Sequence, residues 1–365
     1  MSDQVRCLEF FSGIGGLHYA LNIAGIPATV VCAFDVNMVA NTVYEQNFKH
    51  KPSNKTIERL TPKDIQKFDA DCWLLSPPCQ PYTQGGKMMD LEDPRSKPLL
   101  HLIDILPKLD RPPTFIFLEN VKNFEISESR AKLVDQLKSM GYRVKECLLS
   151  PIQFGIPNHR LRYYLAARRI STEPVNEDLP LYTTWPFSGQ NQQVELPQLS
   201  HFLDKDADSQ DVYKVPHKHI LKRCKFRFDI VRPSDRRTSC ITKAYGSHHL
   251  QTSGSLVQTK HLDFTDYNWE NPEDLLDLEL RFLKPEEIAR LHAFPVPQYG
   301  HNLNTTTDND TEDNGAIPRR FAPPHCTPHL EFPPEITIDQ RYRLLGNSLN
   351  CWVVAELLRC ELFNE

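Results

Sequence analysis

A cysteine framed by prolines is the first candidate for chemistry in this sequence. Residues 76–81 read Ser-Pro-Pro-Cys-Gln-Pro and directly follow an apolar run that reads as a buried strand. The prolines stiffen the chain where it leaves that strand, so the thiol of Cys79 should lie at the strand end, where sheets of this kind form their active-site crevice. Most cysteines are small buried packing residues. We predict that Cys79 is instead an exposed nucleophile.

Three charged residues could support such a thiolate. Glu119 ends another apolar run and should reach the same crevice, although a carboxylate there could equally cap a helix or hold an arginine. Arg160 and Arg162 are two residues apart, which places both side chains on one face of an extended segment. An isolated pair of this kind is typical of a solvated surface. Next to Cys79 and Glu119, the two arginines could instead stabilise a carboxylate and a thiolate.

A glycine turn after the first predicted strand indicates a nucleotide-like ligand. Residues 12–16 read Ser-Gly-Ile-Gly-Gly, but a dinucleotide fingerprint needs a further glycine where the chain has His18. Asp35, at the end of the second strand, suits a ribose diol held by two charge-assisted hydrogen bonds. S-adenosylmethionine has that diol without phosphates, so a methyl donor fits better. The turn could also serve only close packing of helix on strand.

Alternating strands and helices must position these residues. Strands are predicted at 5–11, 29–34, 71–76, 114–118, 142–149 and 162–167, and helices at 17–24, 36–47, 127–140 and 349–362. This alternation implies an α/β fold with a doubly wound, mostly parallel sheet. We expect a catalytic domain over 1–178, a smaller domain over 179–335, and a segment 336–365 that returns to the first domain.

The smaller domain has an uneven charge distribution. Residues 214–243 carry ten Lys or Arg against two Asp, a net charge of +8 in a chain of formal charge −5. This excess favours a nucleic-acid surface. The interleaved aromatic residues could stack on unpaired bases or pack in a core. They are Tyr213, Phe226, Phe228 and Tyr245.

Other segments of the chain are not expected to carry chemistry. The acidic run 263–279 is typical of a solvated face, and 302–328 reads as a flexible insertion. Segment 83–97, which contains Gly85 and Gly86, reads either as a lid or as an ordinary mobile loop.

Composition excludes several classes of protein. The 365 residues are 40% apolar and 10% aromatic, as in a soluble globular chain. No run approaches the ~20 apolar residues of a membrane span, and the first residues lack a signal-peptide core. We therefore expect a location in the cytoplasm, the nucleus or both, with no membrane and no obligate protein partner. The ten cysteines form no C-x-x-C pair, and His325, Cys326 and His329 lack a fourth ligand nearby, so no metal site is expected.

Six motifs, in order, resemble those of the cytosine-5 methyltransferases. The motifs are Phe11-x-Gly13-x-Gly15, Pro77-Pro78-Cys79-Gln80, Glu119-Asn120-Val121, Arg160-x-Arg162, the run 285–295, and Gly346-Asn347-Ser348. Segments 76–81, 155–158, 160–163 and 340–350 are most similar to the small eukaryotic branch that looks like a DNA methyltransferase but methylates the anticodon loop of aspartate tRNA. That branch typically carries Cys-Phe-Thr where this chain has Cys240-Ile241-Thr242. Isoleucine keeps the apolar volume and loses the π-face.

The resemblance implies a mechanism and a set of site residues. Cys79 would add to C6 of a cytosine, Glu119 would bind its N3/N4 edge, and Arg160 and Arg162 would orient Glu119 and bind O2. S-adenosylmethionine would be held by Phe11, Ser12, Gly13, Ile14, Gly15, Gly16, Asp35, Val36, Ile57, Glu58, Pro77, Asn347 and Ser348. The basic domain would bind tRNA through Lys214, Lys222, Arg223, Lys225, Arg236, Arg237, Cys240, Thr242, Lys243 and Tyr245.

Three other functions remain open at this stage. A DNA cytosine-5 methyltransferase would share every catalytic residue; the short recognition domain and the closer match to the tRNA branch stand against it, and DNA binding is secondary. A non-catalytic adaptor that binds the cofactor would be expected to lack Cys79, Glu119 or an arginine. A nicotinamide oxidoreductase would need the missing glycine.

Overall fold

A seven-stranded sheet has the predicted catalytic residues on its strands or next to strand ends. The computed structural model of the protein describes residues 4–82, 90–187, 194–223, 225–247, 253–296 and 328–364. Strands β1–β7 are Val5–Phe10, Ala28–Phe34, Cys72–Leu75, Phe115–Val121, Tyr142–Leu149, Arg162–Arg169 and Leu181–Tyr182. Their order across the sheet is β2-β1-β3-β4-β6-β5-β7, and β6 runs antiparallel to both β4 and β5. The predicted α/β fold with a mostly parallel sheet is confirmed.

Helices connect the strands, and their ends follow from local sequence. Helices α1–α9 are Gly16–Ala24, Met38–Phe48, Pro62–Gln66, Lys97–Ile105, Glu128–Ser139, His217–Leu221, Pro285–Leu291, Ile338–Gly346 and Cys351–Leu357. Asn37 and Ser127 cap α2 and α5 with side-chain oxygens, and Gly25 ends α1 in the left-handed conformation. The predicted helix 349–362 is shorter, because a π-helical turn, Leu358–Leu362, follows α9.

Apolar side chains on the strands form the core around the sheet. Phe10 stacks on Phe34 at 5.1 Å between ring centroids, and Trp73 meets Phe10 edge-on at 5.2 Å. All four residues of β3 are buried, as expected for a central parallel strand covered on both faces. The central strands of the sheet are therefore covered by apolar side chains on both faces.

The chain divides into two units. Unit 1 comprises Met1–Phe154, Arg160–Val194 and Ser348–Glu365, and unit 2 comprises Gly155–His159 and Glu195–Asn347. The short piece 155–159 belongs to unit 2 because Asn158 Nδ2 donates to Thr238 Oγ1 at 2.9 Å and to the Ser239 carbonyl at 3.1 Å.

Unit 2 has little regular structure. Its strands β8, Ile230–Val231, and β9, Leu256–Val257, form a two-stranded parallel sheet. Within the described ranges of both units, no helix is long and apolar enough to cross a membrane.

Several residues singled out in the sequence lie outside the part of the chain that the structure describes. Gly85, Gly86, His325 and Cys326 lie outside the described residues, as do residues 302–327 of the expected insertion. Of the expected lid, the structure describes 90–97, where two 3-10 turns, Asp90–Glu92 and Pro94–Ser96, lead into α4.

Candidate active site

Cys79 lies where the chain leaves β3. Five of the eight described cysteines are buried, whereas Cys79 is partly exposed. Its carbonyl accepts a hydrogen bond from the Tyr82 N–H at 3.0 Å, and Asn120 Nδ2, near the end of β4, donates to the Pro77 carbonyl at 3.3 Å. Because β3 and β4 are neighbouring parallel strands, this bond ties the Pro77–Cys79 turn to the end of β4.

Arg95 is a charged neighbour of Cys79 that the sequence did not single out. Its guanidinium is held by Asp93, with Arg95 Nη2 and Asp93 Oδ2 2.6 Å apart, and it lies close enough to Cys79 for the two charges to interact. A nearby positive charge favours a thiolate over a thiol. Arg95 falls in segment 83–97, which the sequence predicts to be a lid or a mobile loop. No sequence motif in that segment indicated a catalytic role for Arg95.

Glu119 is a buried carboxyl on β4. It is 8% exposed, and its Oε1 lies 3.5 Å from Arg162 Nε at the start of β6. Burial raises the pKa of Glu119, while the guanidiniums of Arg162 and Arg160 oppose that rise. The carboxyl can therefore hold a proton more readily than an exposed glutamate, and it can donate that proton inside the crevice.

Arg160 is 2% exposed and joins the same cluster from the segment before β6. Its Nη2 donates to the carbonyl of Ser348, and its own N–H donates to Ser150 Oγ at 3.1 Å. Unit 1 thus brings together Glu119, Arg160, Arg162 and Ser348, which are far apart in sequence.

The glycine turn adopts backbone angles that suit glycine. Gly13 and Gly15 have φ of +52° and +88°, in the left-handed region. A Cβ at Gly15 would lie 2.4 Å from the ring of Phe48, and one at Gly16 would lie 2.9 Å from Leu349 Cγ and 3.2 Å from Ser348 Oγ. At Gly13 a Cβ would meet nothing within 4 Å. The turn is therefore packed from behind and open at Gly13.

The other turn residues differ in accessibility. Phe11 has a positive φ of 60° and is half-buried, whereas Ser12 and Ile14 are buried. Asn347 closes unit 2, with its N–H donating to the Arg343 carbonyl at 3.1 Å.

Asp35 lies beside the turn at the end of β2. Its Oδ2 accepts from the Gly13 N–H at 2.7 Å and its Oδ1 accepts from the Asn37 N–H at 2.8 Å. Burial raises its pKa, and these backbone bonds oppose the rise. A carboxylate has about four acceptor positions, so acceptor capacity remains for a hydroxyl group of a ligand.

The residues expected around an adenine are divided between surface and core. Val36 is 64% exposed next to Asp35, and Glu58 is exposed as well. Ile57 is a member of the hydrophobic core at 5% exposure. It therefore offers little surface to a ligand.

A buried polar network under the turn escaped sequence reasoning. Glu9, on β1, is fully buried, accepts from Tyr44 Oη at 2.9 Å and from the His18 N–H at 3.3 Å, and has a pKa raised by burial to about 8. His18 Nδ1 lies 2.9 Å from Tyr44 Oη, and its ring stacks on Phe48 at 3.8 Å. Burial lowers the pKa of His18 to about 3. The residue that replaces the third glycine thus packs the turn against α2.

Unit 2 holds the basic residues of the predicted nucleic-acid surface. Four of them form ion pairs: Lys214 with Asp211 at 2.8 Å, Lys225 with Glu270 at 3.2 Å, Arg236 with Glu195 at 3.2 Å, and Arg237 with Asp229 at 2.7 Å. Lys222 and Lys243 are exposed or partly exposed, and the Arg223 guanidinium lies 5.7 Å from the Phe226 ring centroid. These side chains keep a positive surface that is partly balanced by nearby acids.

The expected stacking role of Tyr245 is corrected. Tyr245 is 2% exposed, donates to the Ser255 carbonyl at 2.6 Å and accepts from the Leu283 N–H at 2.8 Å, so its ring belongs to the core of unit 2. Tyr213 and Phe228 are buried too, at 8% and 4%. No base can reach these faces.

The Cys240–Thr242 triplet is packed against α8. Ile241 is fully buried, so the position that departs from the resembled pattern faces the core. A Cβ at Gly346 would lie 2.3 Å from the backbone carbon of Thr242, which explains why α8 ends in glycine there. Cys240 remains partly exposed.

The fold and the site define a class of protein. A mostly parallel sheet with a glycine turn after β1, an acid after β2, a cysteine after β3 and a Glu–Arg cluster on β4 and β6 is the arrangement of a methyltransferase that uses S-adenosylmethionine. The family model of the C-5 cytosine-specific DNA methylases matches residues 5–311. The chain belongs to this family, whose members take their methyl group from S-adenosylmethionine.

Relatives match along the whole chain. The human tRNA (cytosine(38)-C(5))-methyltransferase is 35% identical over 98% of this chain and 99% of its own length. A DNA (cytosine-5)-methyltransferase of Dictyostelium discoideum is 34% identical over 98% and 94%. Among solved structures, a methyltransferase of Entamoeba histolytica has a TM-score of 0.75 at 33% identity, over 98% of this chain and 97% of that chain. The Dnmt2 methyltransferase of Schizosaccharomyces pombe has a TM-score of 0.73 at 31% identity, over 97% of both.

Proposed function

We propose that this protein methylates C5 of a cytosine in the anticodon loop of a tRNA, with aspartate tRNA as the substrate. The observation that carries the proposal is the cluster of Glu119, Arg160 and Arg162 on β4 and at the start of β6, since β4 is the parallel neighbour of β3, the strand that Cys79 follows. Full-length similarity to tRNA (cytosine(38)-C(5))-methyltransferases supports RNA as the substrate. Because tRNA occurs in both the nucleus and the cytoplasm, the protein acts in one or both.

The cluster would activate cytosine C5 by covalent catalysis. C5 is a poor nucleophile, so the Cys79 thiolate adds to C6 and pushes electron density to C5. The Glu119 carboxyl, whose pKa burial raises, hydrogen-bonds the N3/N4 edge and supplies a proton to N3. Arg162 orients Glu119, and Arg160 and Arg162 balance the charge and bind O2. Once C5 is methylated, a base removes the C5 proton and Cys79 leaves as a thiolate.

The residues around the glycine turn fit S-adenosylmethionine. Bound there, it supplies the electrophilic methyl group. Gly13 leaves open space where a side chain would stand, and Asp35 keeps acceptor positions for the ribose hydroxyls. Val36 offers apolar surface for the adenine, and Ser348 lies against Gly16 at the methionine end.

DNA is the second candidate substrate. The DNA (cytosine-5)-methyltransferase of D. discoideum matches this chain almost as closely as the tRNA enzymes do. Both activities need the same residues, so the choice depends on the nucleic acid and not on the crevice.

Bisulfite sequencing tests both proposals together. Purified protein and S-adenosylmethionine are incubated with total tRNA and, separately, with genomic DNA, and Cys79→Ala protein serves as the matched control. We expect a new 5-methylcytosine in the anticodon loop of aspartate tRNA that is absent with the variant. Methylation confined to DNA, or to another tRNA, would overturn the corresponding part of the proposal.

A further inference from the structure

A pocket within unit 2 combines arginines with an aromatic ring. Arg232, Arg236 and Arg237 line it together with Asp235 and Tyr267, and its volume is about 370 Å³. Pockets for small ligands typically measure ~300–1,000 Å³. Tyr267 and Arg232 have no role in the methyl-transfer chemistry, which uses residues of unit 1.

Carboxylates hold the arginines in place. Arg237 Nη1 lies 2.7 Å from Asp229 Oδ1, and Arg236 Nη1 lies 3.2 Å from Glu195 Oε1. The side chains of Arg236 and Arg237 are nevertheless 46% and 51% exposed. A guanidinium has five N–H donors, so one ion pair leaves others for phosphate or base oxygens.

Tyr267 forms an oriented aromatic wall. Its hydroxyl donates to Gln258 Oε1 at 2.7 Å, and its ring centroid lies 5.3 Å from that of Trp269 and 6.0 Å from that of Phe264. Phe264 is 41% exposed, and Tyr267 itself is partly exposed. The acidic run 263–279, expected to be a solvated face, is mostly exposed and also supplies aromatic surface beside the arginines.

We infer that this pocket receives one unpaired nucleotide of the nucleic-acid substrate. Its base lies on the Tyr267 ring, and its phosphate contacts Arg236 and Arg237. Aromatic rings beside basic side chains bind unpaired bases with little sequence preference, because every base has a π-face. A base inside a duplex has both faces covered and cannot enter. The inference rests on the proposed function, since it makes an unpaired loop part of what unit 2 recognises.

Binding measurements on Tyr267 variants test the inference. Fluorescence anisotropy gives Kd for a tRNA transcript, for a short single-stranded RNA, for DNA of the same sequence, and for duplex RNA. Loss of a base stack costs roughly 1–3 kcal/mol, so Tyr267→Leu should raise Kd about 10-fold for the tRNA and the single strands and leave the duplex unchanged. Tyr267→Phe keeps the ring and should bind within about 3-fold of wild type.

The control is Lys260→Ala, a basic residue of unit 2 with a 57% exposed side chain that does not line the pocket. Thermal melting of each variant confirms folding. If Tyr267→Leu raises Kd no more than Lys260→Ala does, or weakens duplex and single strands equally, the inference is overturned. If the Tyr267 effect appears but wild-type protein methylates no tRNA, the pocket stands and the proposed function fails.

Discussion

At the scale of single residues, Cys79 is set apart by its turn and its neighbours. It is partly exposed, and Arg95 interacts with it electrostatically. Cys79→Ala should abolish methyl transfer and leave affinity for S-adenosylmethionine nearly unchanged, because the thiol follows β3 whereas the turn around Gly13 and Asp35 follow β1 and β2. Steady-state methyl transfer and calorimetry measure the two quantities.

A substrate with 5-fluorocytosine gives a direct readout of the nucleophile. Fluorine at C5 cannot leave as a proton does, so the adduct should persist and be located by peptide mass spectrometry. Cys360, also partly exposed, provides the matched variant: Cys360→Ala should trap normally. An adduct on any cysteine other than Cys79 would contradict the assignment.

Asp35 has two tasks that one substitution can expose. It holds the Gly13 N–H and keeps acceptor positions for a ribose, and each charge-assisted hydrogen bond is worth roughly 1.5–3 kcal/mol. Asp35→Ala should therefore weaken binding of S-adenosylmethionine at least about 10-fold by calorimetry. Glu45→Ala, an exposed acid on α2, is the control. Unchanged affinity in Asp35→Ala protein would place the ribose elsewhere.

Among the strands and helices, the buried carboxyl of Glu9 makes the stability of the packing of β1 with α1 and α2 depend on pH. Burial raises the pKa of this carboxyl from 4.5 to about 8, the charge of Asp35 adds to the rise, and hydrogen bonds from Tyr44 and the His18 N–H oppose it. The folded chain thus keeps a proton that the unfolded chain releases between these values. Stability must fall across that window as pH rises, by about 1.4 kcal/mol per pH unit for this group.

Glu9→Gln removes that titration. The free energy of unfolding of the variant minus that of wild type should increase steadily from pH 4.5 to about 8 and stay constant above that pH. Urea unfolding over this range measures the difference, and Glu45→Gln serves as the exposed control. A difference that does not change with pH would show that Glu9 does not titrate in this window.

The bounds of the strands could largely be predicted from the sequence, whereas the pairing of the strands within the sheet could not. The predicted strand 5–11 is Val5–Phe10, a mostly apolar run whose last four residues are buried. The predicted strand 142–149 is Tyr142–Leu149, in which buried residues alternate with more exposed ones over 142–146. The antiparallel direction of β6 and the two-residue strand β7 depend on pairing between distant segments, which local patterns do not encode. Glu9 was missed for a related reason: one acid inside an apolar run gives no sign that Tyr44 will meet it.

At the scale of the whole molecule, charge governs how the substrate is found. Arg236→Glu with Arg237→Glu should weaken tRNA binding and flatten the fall of affinity with salt, because fewer counterions are released from phosphates. Binding of S-adenosylmethionine should not change. Anisotropy at several salt concentrations measures both the affinity and its slope.

The control for this charge reversal is Arg143→Glu with Lys260→Glu. Both are exposed basic residues that do not line the pocket. If the reversal at Arg236 and Arg237 leaves both affinity and salt slope intact, the basic segment is only a solvated face. The tRNA would then bind through unit 1.

The contact between Gly16 and the segment after Ser348 ties activity to the order of protein synthesis. Ser348 and Leu349 pack on Gly16, and the Cys351 thiol donates a hydrogen bond to the Gly16 carbonyl at 3.6 Å. A ribosome makes Gly16 early and these partners more than three hundred residues later. A nascent chain therefore carries the nucleophile and the glycine turn long before that turn can be closed. Translation itself delays closure of the turn until the segment after Ser348 has been made.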